Sequence, residues 1–167
     1  TEVDNNGNND PSDPDEDDPT PIVFTENPII GIAKSAGPTT DNGNGTFTTT
    51  ITLTVENLGN VILNSVQISD DLTAAFPSPA TVTVSNLTSP LLTTNNGFNG
   101  TSDSNLLSGS DSLTVAAVAT VSFDLTFNPN GLAGPFNNQA ISQAQSPSGN
   151  NTSDSSDDGT EVDSNGN

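Results

Sequence analysis

The stretch TFTTTITLTVE, residues 46–56, decides the fold class. Phe47, Ile51, Leu53 and Val55 fall on one side of an extended chain, and threonines fill the other side. Successive side chains of a β-strand point to opposite faces, so a period of two over eleven residues predicts a strand with one face in a core. We therefore expect a sheet whose second face carries rows of threonine.

Comparable patterns recur along the chain, separated by turns rich in Gly, Asn and Pro. The predicted strands are residues 22–25, 29–35, 46–56, 60–71, 80–87, 110–127 and 136–145. In the fourth of these, Ile62, Val66 and Ile68 share one phase, whereas Val61 and Leu63 are out of phase, which suggests a bulge or a second covered face. The preceding turn NLGN offers Gly59 for a positive φ. About seven strands without helical periodicity predict an all-β, immunoglobulin-like Greek-key β-sandwich.

Acidic residues are concentrated at both ends of the 167-residue chain. The formal net charge is -20; eight of the 21 acids lie in residues 1–18 and five in residues 154–163. This distribution predicts an acidic, Asp- and Pro-rich linker over 1–21, a sandwich over 22–149, and a second acidic linker over 150–167. Proline fixes φ, so these linkers are expected to be extended.

The two ends are also related in sequence. Residues 160–167 (TEVDSNGN) repeat residues 1–8 (TEVDNNGN) at seven of eight positions, 159 residues apart. This predicts a tandem array in which residues 150–167 overlap the next repeat, with adjacent copies as partners and the chain as a piece of a longer protein. The alternative is two low-complexity tails that converged on one composition.

Composition excludes several functions. The chain has one Lys, no Arg, no His and no Cys, which rules out His- or Cys-based catalytic pairs, ordinary zinc sites and disulfides. One basic residue argues against nucleic-acid binding. No apolar run approaches the roughly 20 residues of a membrane helix, so no membrane insertion is expected. The clustered acids lie in predicted linkers, and Trp and Tyr are absent, so we do not expect an enzyme.

The acidic linkers predict a calcium site. Oxygen-bearing side chains alternate in the pattern D-x-N-x-N-x-D-x-x-D from residue 4, and calcium takes 6–8 oxygen ligands. A solvated linker that binds no specific ion is the alternative. The expected Ca²⁺ ligands are Asp4, Asn6, Asn8, Asp10, Asp13, Asp15, Asp17, Asp154, Asp157, Asp158 and Asp163.

The body of the chain contains two further candidate sites. Lys34 lies on a predicted first strand and Asn138 on the last, so an isopeptide bond could join them, assisted by a buried carboxylate from Glu56 or Asp124. The simpler interpretation is that Lys34 is an ordinary surface lysine. The pair Asp70-Asp71 is expected to end a strand or contribute to a metal site at the end of the domain.

The stretch GTFTTTITLTVENLGNVILNSVQISDDL (residues 45–72) resembles the opening half of the conserved repeat domain of large bacterial surface proteins. The closing half resembles residues 131–148, where Asn138-Gln139-Ala140 matches an N-x-A strand. Residues 11–21 and 156–167 look like the acidic linkers between such repeats, and the Asp-rich pattern is similar to calcium repeats of matrix and adhesin linkers. The longer, Asn- and Ser-rich segment 89–112 departs from the pattern.

The resemblance implies a secreted or cell-surface stalk or fibre module without activity of its own. We therefore expect a structural repeat of an extracellular bacterial fibre, stalk or giant adhesin, with calcium stiffening the joints. One alternative is a filament subunit that assembles non-covalently, with residues 19–26 lending a strand to a neighbour. Another is a surface module whose threonine face or middle loops bind a glycan or ice.

Overall fold

The computed structural model describes residues 21–162, which fold into two β-sheets and one single-turn helix. The strands are β1 (Ile30–Ala36), β2 (Thr40–Asp41), β3 (Phe47–Asn57), β4 (Asn64–Asp70), β5 (Thr81–Thr88), β6 (Val118–Asn128), β7 (Ala140–Gln145), β8 (Asn151–Ser155) and β9 (Asp157–Asp158); helix α1 is Leu72–Ala75. The larger sheet has the order β5-β6-β3-β1-β9, with β2 also on β3. The smaller sheet has the order β4-β7-β8.

Strand β3 is the centre of the larger sheet because its alternation allows one face to be buried. Ile51, Leu53 and Val55 are at most 4% exposed, which confirms the predicted phase. On the opposite face the threonines pair across strands: Thr50 Oγ1 donates to Asp124 Oδ1 at 2.7 Å, on neighbouring β6. Antiparallel neighbours on both sides satisfy the backbone of β3.

The core between the sheets is filled from the inward faces of both. Its largest fully buried side chains include Phe123 of β6, Leu53 of β3 and Ile68 of β4. The Asn- and Ser-rich segment 89–112 contributes to it as well, since Phe98 packs edge-on against Phe123 with ring centroids 5.2 Å apart. That segment therefore covers the core, a role the sequence pattern did not predict.

Strand β4 differs from the prediction in its phase. Ile62 is 37% exposed, whereas Leu63 is fully buried with Val66 and Ile68. Ser65 has a φ of 54°, and the pairing of β4 with β7 shifts register between Asn64 and Gln67. Such a bulge moves the alternation by one residue, so the predicted phase for Ile62 was wrong, whereas the bulge suggested by the out-of-phase Leu63 is confirmed.

The ends of the sandwich also differ from the prediction. Residues 22–25 form no strand. Strands β8 and β9 lie within 150–167, the range predicted to be a linker, so the sandwich extends beyond residue 149 to Asp158. The polar composition of these strands, NTSDS and DD, concealed them. No helix within 21–162 is long and apolar enough to span a membrane.

Strand β5 forms an irregular outer edge of the larger sheet. Its pairing with β6 shifts register between Ser85 and Thr88, and Asn86 has a φ of 55°. The side chain of Asn86 donates from Nδ2 to Asp124 Oδ2 at 2.7 Å, which holds this left-handed residue against the sheet. The edge therefore contains a β-bulge.

The turn at 57–60 fixes the chain segment that precedes β1. The backbone N–H of Leu58 donates to Ile29 O at 2.9 Å, and the N–H of Asn60 donates to Asn27 O at 3.2 Å. Gly59 does not take the positive φ expected of it. Glycine is instead required here because the backbone of residues 27–29 lies very close: a Cβ added at Gly59 would be 2.5 Å from Asn27 O.

We predict that Gly59→Ala destabilises the fold by about 1–3 kcal/mol, because the new methyl group must displace the backbone of residues 27–29. Chemical denaturation followed by circular dichroism measures this. Gly37→Ala is the matched control, since its Cβ would lie no nearer than 3.4 Å to a neighbour. Equal effects of the two substitutions would contradict the assignment.

Candidate functional site

A lysine occupies a core position on β1. Ile30, Ile32 and Lys34 share the inward phase of this strand, and Lys34 is only 6% exposed. It is the one Lys or Arg of the chain. Lysine is almost never fully buried unless it is paired, so its position requires a partner.

The partner is Asp70, the last residue of β4. Val66, Ile68 and Asp70 share the buried phase of that strand, and Asp70 is fully buried. Lys34 Nζ donates to Asp70 Oδ2 at 2.5 Å. The pair connects the larger sheet to the smaller one, because β1 and β4 belong to different sheets.

Asn138 completes the cluster from the segment before β7. Its Nδ2 donates to Asp70 Oδ2 at 3.3 Å, so a single carboxylate oxygen contacts both the amine and the amide. We refer to Lys34, Asp70 and Asn138 as the KDN cluster. Two of its oxygens, Asp70 Oδ1 and Asn138 Oδ1, are buried and have no hydrogen-bond partner within residues 21–162.

Burial alters the proton affinity of the paired charges. Desolvation lowers the pKa of Lys34 below its usual range, although the charge of Asp70 opposes the change. Desolvation likewise raises the pKa of Asp70, opposed by Lys34 and by the hydrogen bond from Asn138. Both shifts favour the neutral forms, an amine beside a carboxylic acid.

Three phenylalanine rings form an apolar wall of the cleft that contains Lys34 and Asn138. Phe76 stacks on Phe136 with ring centroids 4.7 Å apart and contacts Phe127 at 5.1 Å. Phe136 precedes Asn138 by two residues, so the same segment supplies a ring and the amide. The wall lowers the local dielectric constant, which strengthens electrostatic interactions in the cluster.

The structure brings Lys34 and Asn138 together as the sequence suggested, but with a different carboxylate. Glu56 lies in the outward phase of β3, and Asp124 accepts hydrogen bonds from Thr50 and Asn86 on the outer face of the larger sheet. Neither reaches the cluster, so both were wrong as partners. Asp70 could have been found from its phase, two residues beyond Ile68.

Asp71 has a local role beside the cluster. Its side chain caps helix α1 by accepting from the backbone N–H of Thr73 at 3.0 Å. The expectation that Asp70-Asp71 ends a strand is therefore confirmed.

Three of the expected calcium ligands lie within the described residues. Asp154 of β8 is 7% exposed, and its Oδ2 accepts from the backbone N–H of Ile32 at 2.8 Å. Asp157 and Asp158 are exposed on β9. Residues 21–162 contain no group of three or more acidic side chains placed to hold a metal. The other expected ligands, Asp4, Asn6, Asn8, Asp10, Asp13, Asp15, Asp17 and Asp163, lie outside the described residues.

Asp154 completes the edge of β1. Thr152 Oγ1 accepts from the N–H of Ile30 at 3.2 Å, Asp154 Oδ2 accepts from Ile32, and β9 then pairs with Ala33 and Lys34. Side chains of β8 thus accept hydrogen bonds from the backbone N–H groups in the first half of β1, and β9 pairs with the second half. This arrangement connects the two sheets along the strand that carries Lys34.

Comparison with known proteins adds little. No family model and no curated protein sequence matches the chain. Among solved structures, a GH20 exo-β-N-acetylglucosaminidase from Vibrio harveyi (D437A inactive mutant) is similar over 78% of this chain, with 13% identity and a TM-score of 0.42. The chain spans 18% of the length of that enzyme.

We predict that Asp154→Ala lowers the free energy of unfolding by about 1–3 kcal/mol, because it leaves the buried N–H of Ile32 without its acceptor. Asp157→Ala, at an exposed position three residues away, should stay within about 0.5 kcal/mol of the unsubstituted chain. Urea denaturation of both variants measures the difference. A neutral Asp154→Ala would contradict the role assigned to the carboxylate.

Proposed function

We propose that the chain is a structural repeat unit of an extracellular bacterial fibre, stalk or giant adhesin. The observation that carries this proposal is the parallel pairing of the first long strand with the last strand. Ala33 pairs with Asp157 and Lys34 with Asp158 in the same chain direction. The chain therefore enters β1 at one end of the sandwich and leaves β9 toward the opposite end.

Other contacts support an in-line arrangement. Glu26, before β1, accepts a hydrogen bond from the backbone N–H of Ser148 in the turn between β7 and β8, at 3.3 Å. That turn lies at the end where β1 begins, since Thr152 contacts Ile30 and Asp154 contacts Ile32. Units linked by such termini would follow one another end to end rather than side by side.

The repeated octapeptide supports a covalent array. Residues 160–167 match residues 1–8 at seven of eight positions, so the segment that follows one sandwich resembles the segment that precedes it. Entry and exit at opposite ends suit such a tandem chain. The module would be of the immunoglobulin-like Greek-key kind, an assignment supported by β3–β4 and β6–β7, each of which passes from one sheet to the other.

Calcium at the joints is part of the proposal. Joining residues 154–163 to the N-terminal segment of a following unit crowds many carboxylates into one short linker, and like charges repel one another. A hard cation with oxygen ligands removes that repulsion and orders the linker. The exposed carboxylates of Asp157 and Asp158 lie at the exit of the sandwich, beside this joint.

A second candidate function is supported by an exposed apolar segment. Ile22, Val23 and Phe24 are 96%, 84% and 75% exposed and belong to no strand. Such a segment could add a strand to the sheet edge of a second copy, which would make the chain a non-covalent filament subunit.

For a two-unit chain joined at the 159-residue register, we predict that millimolar calcium increases the maximum dimension in small-angle scattering and releases or absorbs heat in titration calorimetry. Sodium chloride at equal ionic strength is the control, because simple screening would compact a repelling linker. Identical profiles with calcium and with chelator, and no heat, would exclude calcium-stiffened joints.

For the filament alternative, we predict that Val23→Asp abolishes self-association of the full chain in light scattering, because a charge cannot enter a buried strand position. Val115→Asp, at another exposed valine that is 50% exposed, is the control. A chain that is monomeric at all concentrations would exclude this alternative and leave the covalent array untouched.

A further inference from the structure

We propose that Lys34 Nζ and Asn138 Cγ form an intramolecular isopeptide bond, with Asp70 as the residue that transfers protons between the two side chains. The three residues come from β1, β4 and the segment before β7, so the bond would join the two sheets covalently. It belongs to a single unit and does not depend on whether units form an array.

The geometry places nucleophile and amide side by side. Lys34 Nζ lies 2.5 Å from Asp70 Oδ2, and Asn138 Nδ2 lies 3.3 Å from the same oxygen. The amine and the amide that it would attack are therefore separated by no more than two hydrogen bonds that share one atom. Holding reactants in such proximity replaces a bimolecular encounter with an intramolecular step.

The reaction balances without a cofactor. Asp70 takes one proton from the ammonium of Lys34, and the free amine attacks Asn138 Cγ to give a tetrahedral intermediate. Asp70 donates its proton to Nδ2 and takes one proton from the attacking nitrogen as the Cγ–Nδ2 bond breaks. Ammonia leaves, and the new Cγ–Nζ bond remains as a secondary amide. In total, one lysine ammonium, one aspartate carboxylate and one asparagine amide become one secondary amide, one carboxylic acid on Asp70 and one ammonia molecule.

Burial prepares these groups for the first step. An ammonium is not nucleophilic, and desolvation lowers the pKa of Lys34 while it raises that of Asp70, so proton transfer between them is favoured. The rings of Phe76, Phe127 and Phe136 keep this part of the cleft apolar. The lowered pKa of Lys34 increases its fraction of neutral amine relative to that of an exposed lysine.

A plain ion pair does not account for the cluster. Removing two charges from water costs energy that their attraction often fails to recover, so an ion pair alone is a weak source of stability. It also leaves Asp70 Oδ1 and Asn138 Oδ1 as buried acceptors without a donor among residues 21–162. A protonated Asp70 and the N–H of the new amide supply two donors for this group of oxygens.

The bond would also define a path for tension. Force applied to the two ends of the sandwich would enter at β1, cross from Lys34 to Asn138, and leave through β7, β8 and β9. Residues 35–137 would lie in a covalent loop outside that path. This mechanical consequence rests on the proposed function, whereas the bond itself does not.

Intact-mass spectrometry of the purified full chain tests the bond. We expect a mass lower than that of the sequence by one ammonia molecule. Lys34 is also the one trypsin site, and acylated lysine is not cleaved, so the denatured chain should resist trypsin. The proposal would be overturned if the chain has the full mass of its sequence and, once denatured, is cut by trypsin at Lys34.

Variants separate the roles of the three residues. Asn138→Ala and Asp70→Asn should retain the full calculated mass of the variant and become sensitive to trypsin after denaturation. Asp124→Asn is the matched control, since this carboxylate lies on the outer face, and its chain should still lose ammonia. If Asp70→Asn folds by circular dichroism and still loses ammonia, Asp70 does not transfer the protons.

Thermal melting adds a readout whose size distinguishes a covalent bond from a side-chain contact. Closing a loop of about 100 residues removes much entropy from the unfolded chain, so Asn138→Ala should lower Tm by roughly 10–20 °C. The Lys34→Met/Asn138→Ala double variant should melt near the single variant. If the unsubstituted chain loses ammonia but has the same Tm as Asn138→Ala, the bond is present and its stabilising effect is refuted.

Discussion

The amine of Lys34 lies where the two sheets meet, and its position there constrains much of the surrounding structure. A buried cation needs a compensating group, which Asp70 provides from the other sheet at 2.5 Å. That requirement fixes how β4 lies relative to β1, and the amide of Asn138 then fixes the segment that leads into β7. The edge of β1 is closed by Asp154 and by β9, so polar groups connect the sheets along one strand while apolar side chains fill the space between them.

Much of this fold could be predicted from the spacing of apolar residues. The alternation of Ile51, Leu53 and Val55 predicts both the strand and its buried face, because nothing interrupts the period of two. The same reasoning failed at Ile62, since a left-handed Ser65 and a register shift move the phase by one residue. It also missed β8 and β9. The side chains of β8 that contact β1 are polar, and β9 is a short backbone pairing of two aspartates, so composition alone assigns both to a linker.

The candidate site was predictable in part. Lys34 and Asn138 could be paired because their strands were expected at the two ends of the sandwich sequence. The carboxylate could not be chosen by proximity in sequence; it required the inward phase of Val66 and Ile68 to be extended to Asp70. The acidic ends present the opposite problem, because their charge and spacing suggest an ion while eight of the eleven expected ligands lie outside residues 21–162.

The irregular edge at β5 has a consequence for any assembly of identical sandwiches. Copies held close together on one polypeptide meet at high effective concentration, where straight edge strands of neighbours could pair and exchange. The kink at Asn86 and the shift between Ser85 and Thr88 remove the flat row of donors and acceptors that such pairing needs. In the proposed tandem array, the same local distortion that interrupts one ladder would protect neighbouring modules from misfolding into each other.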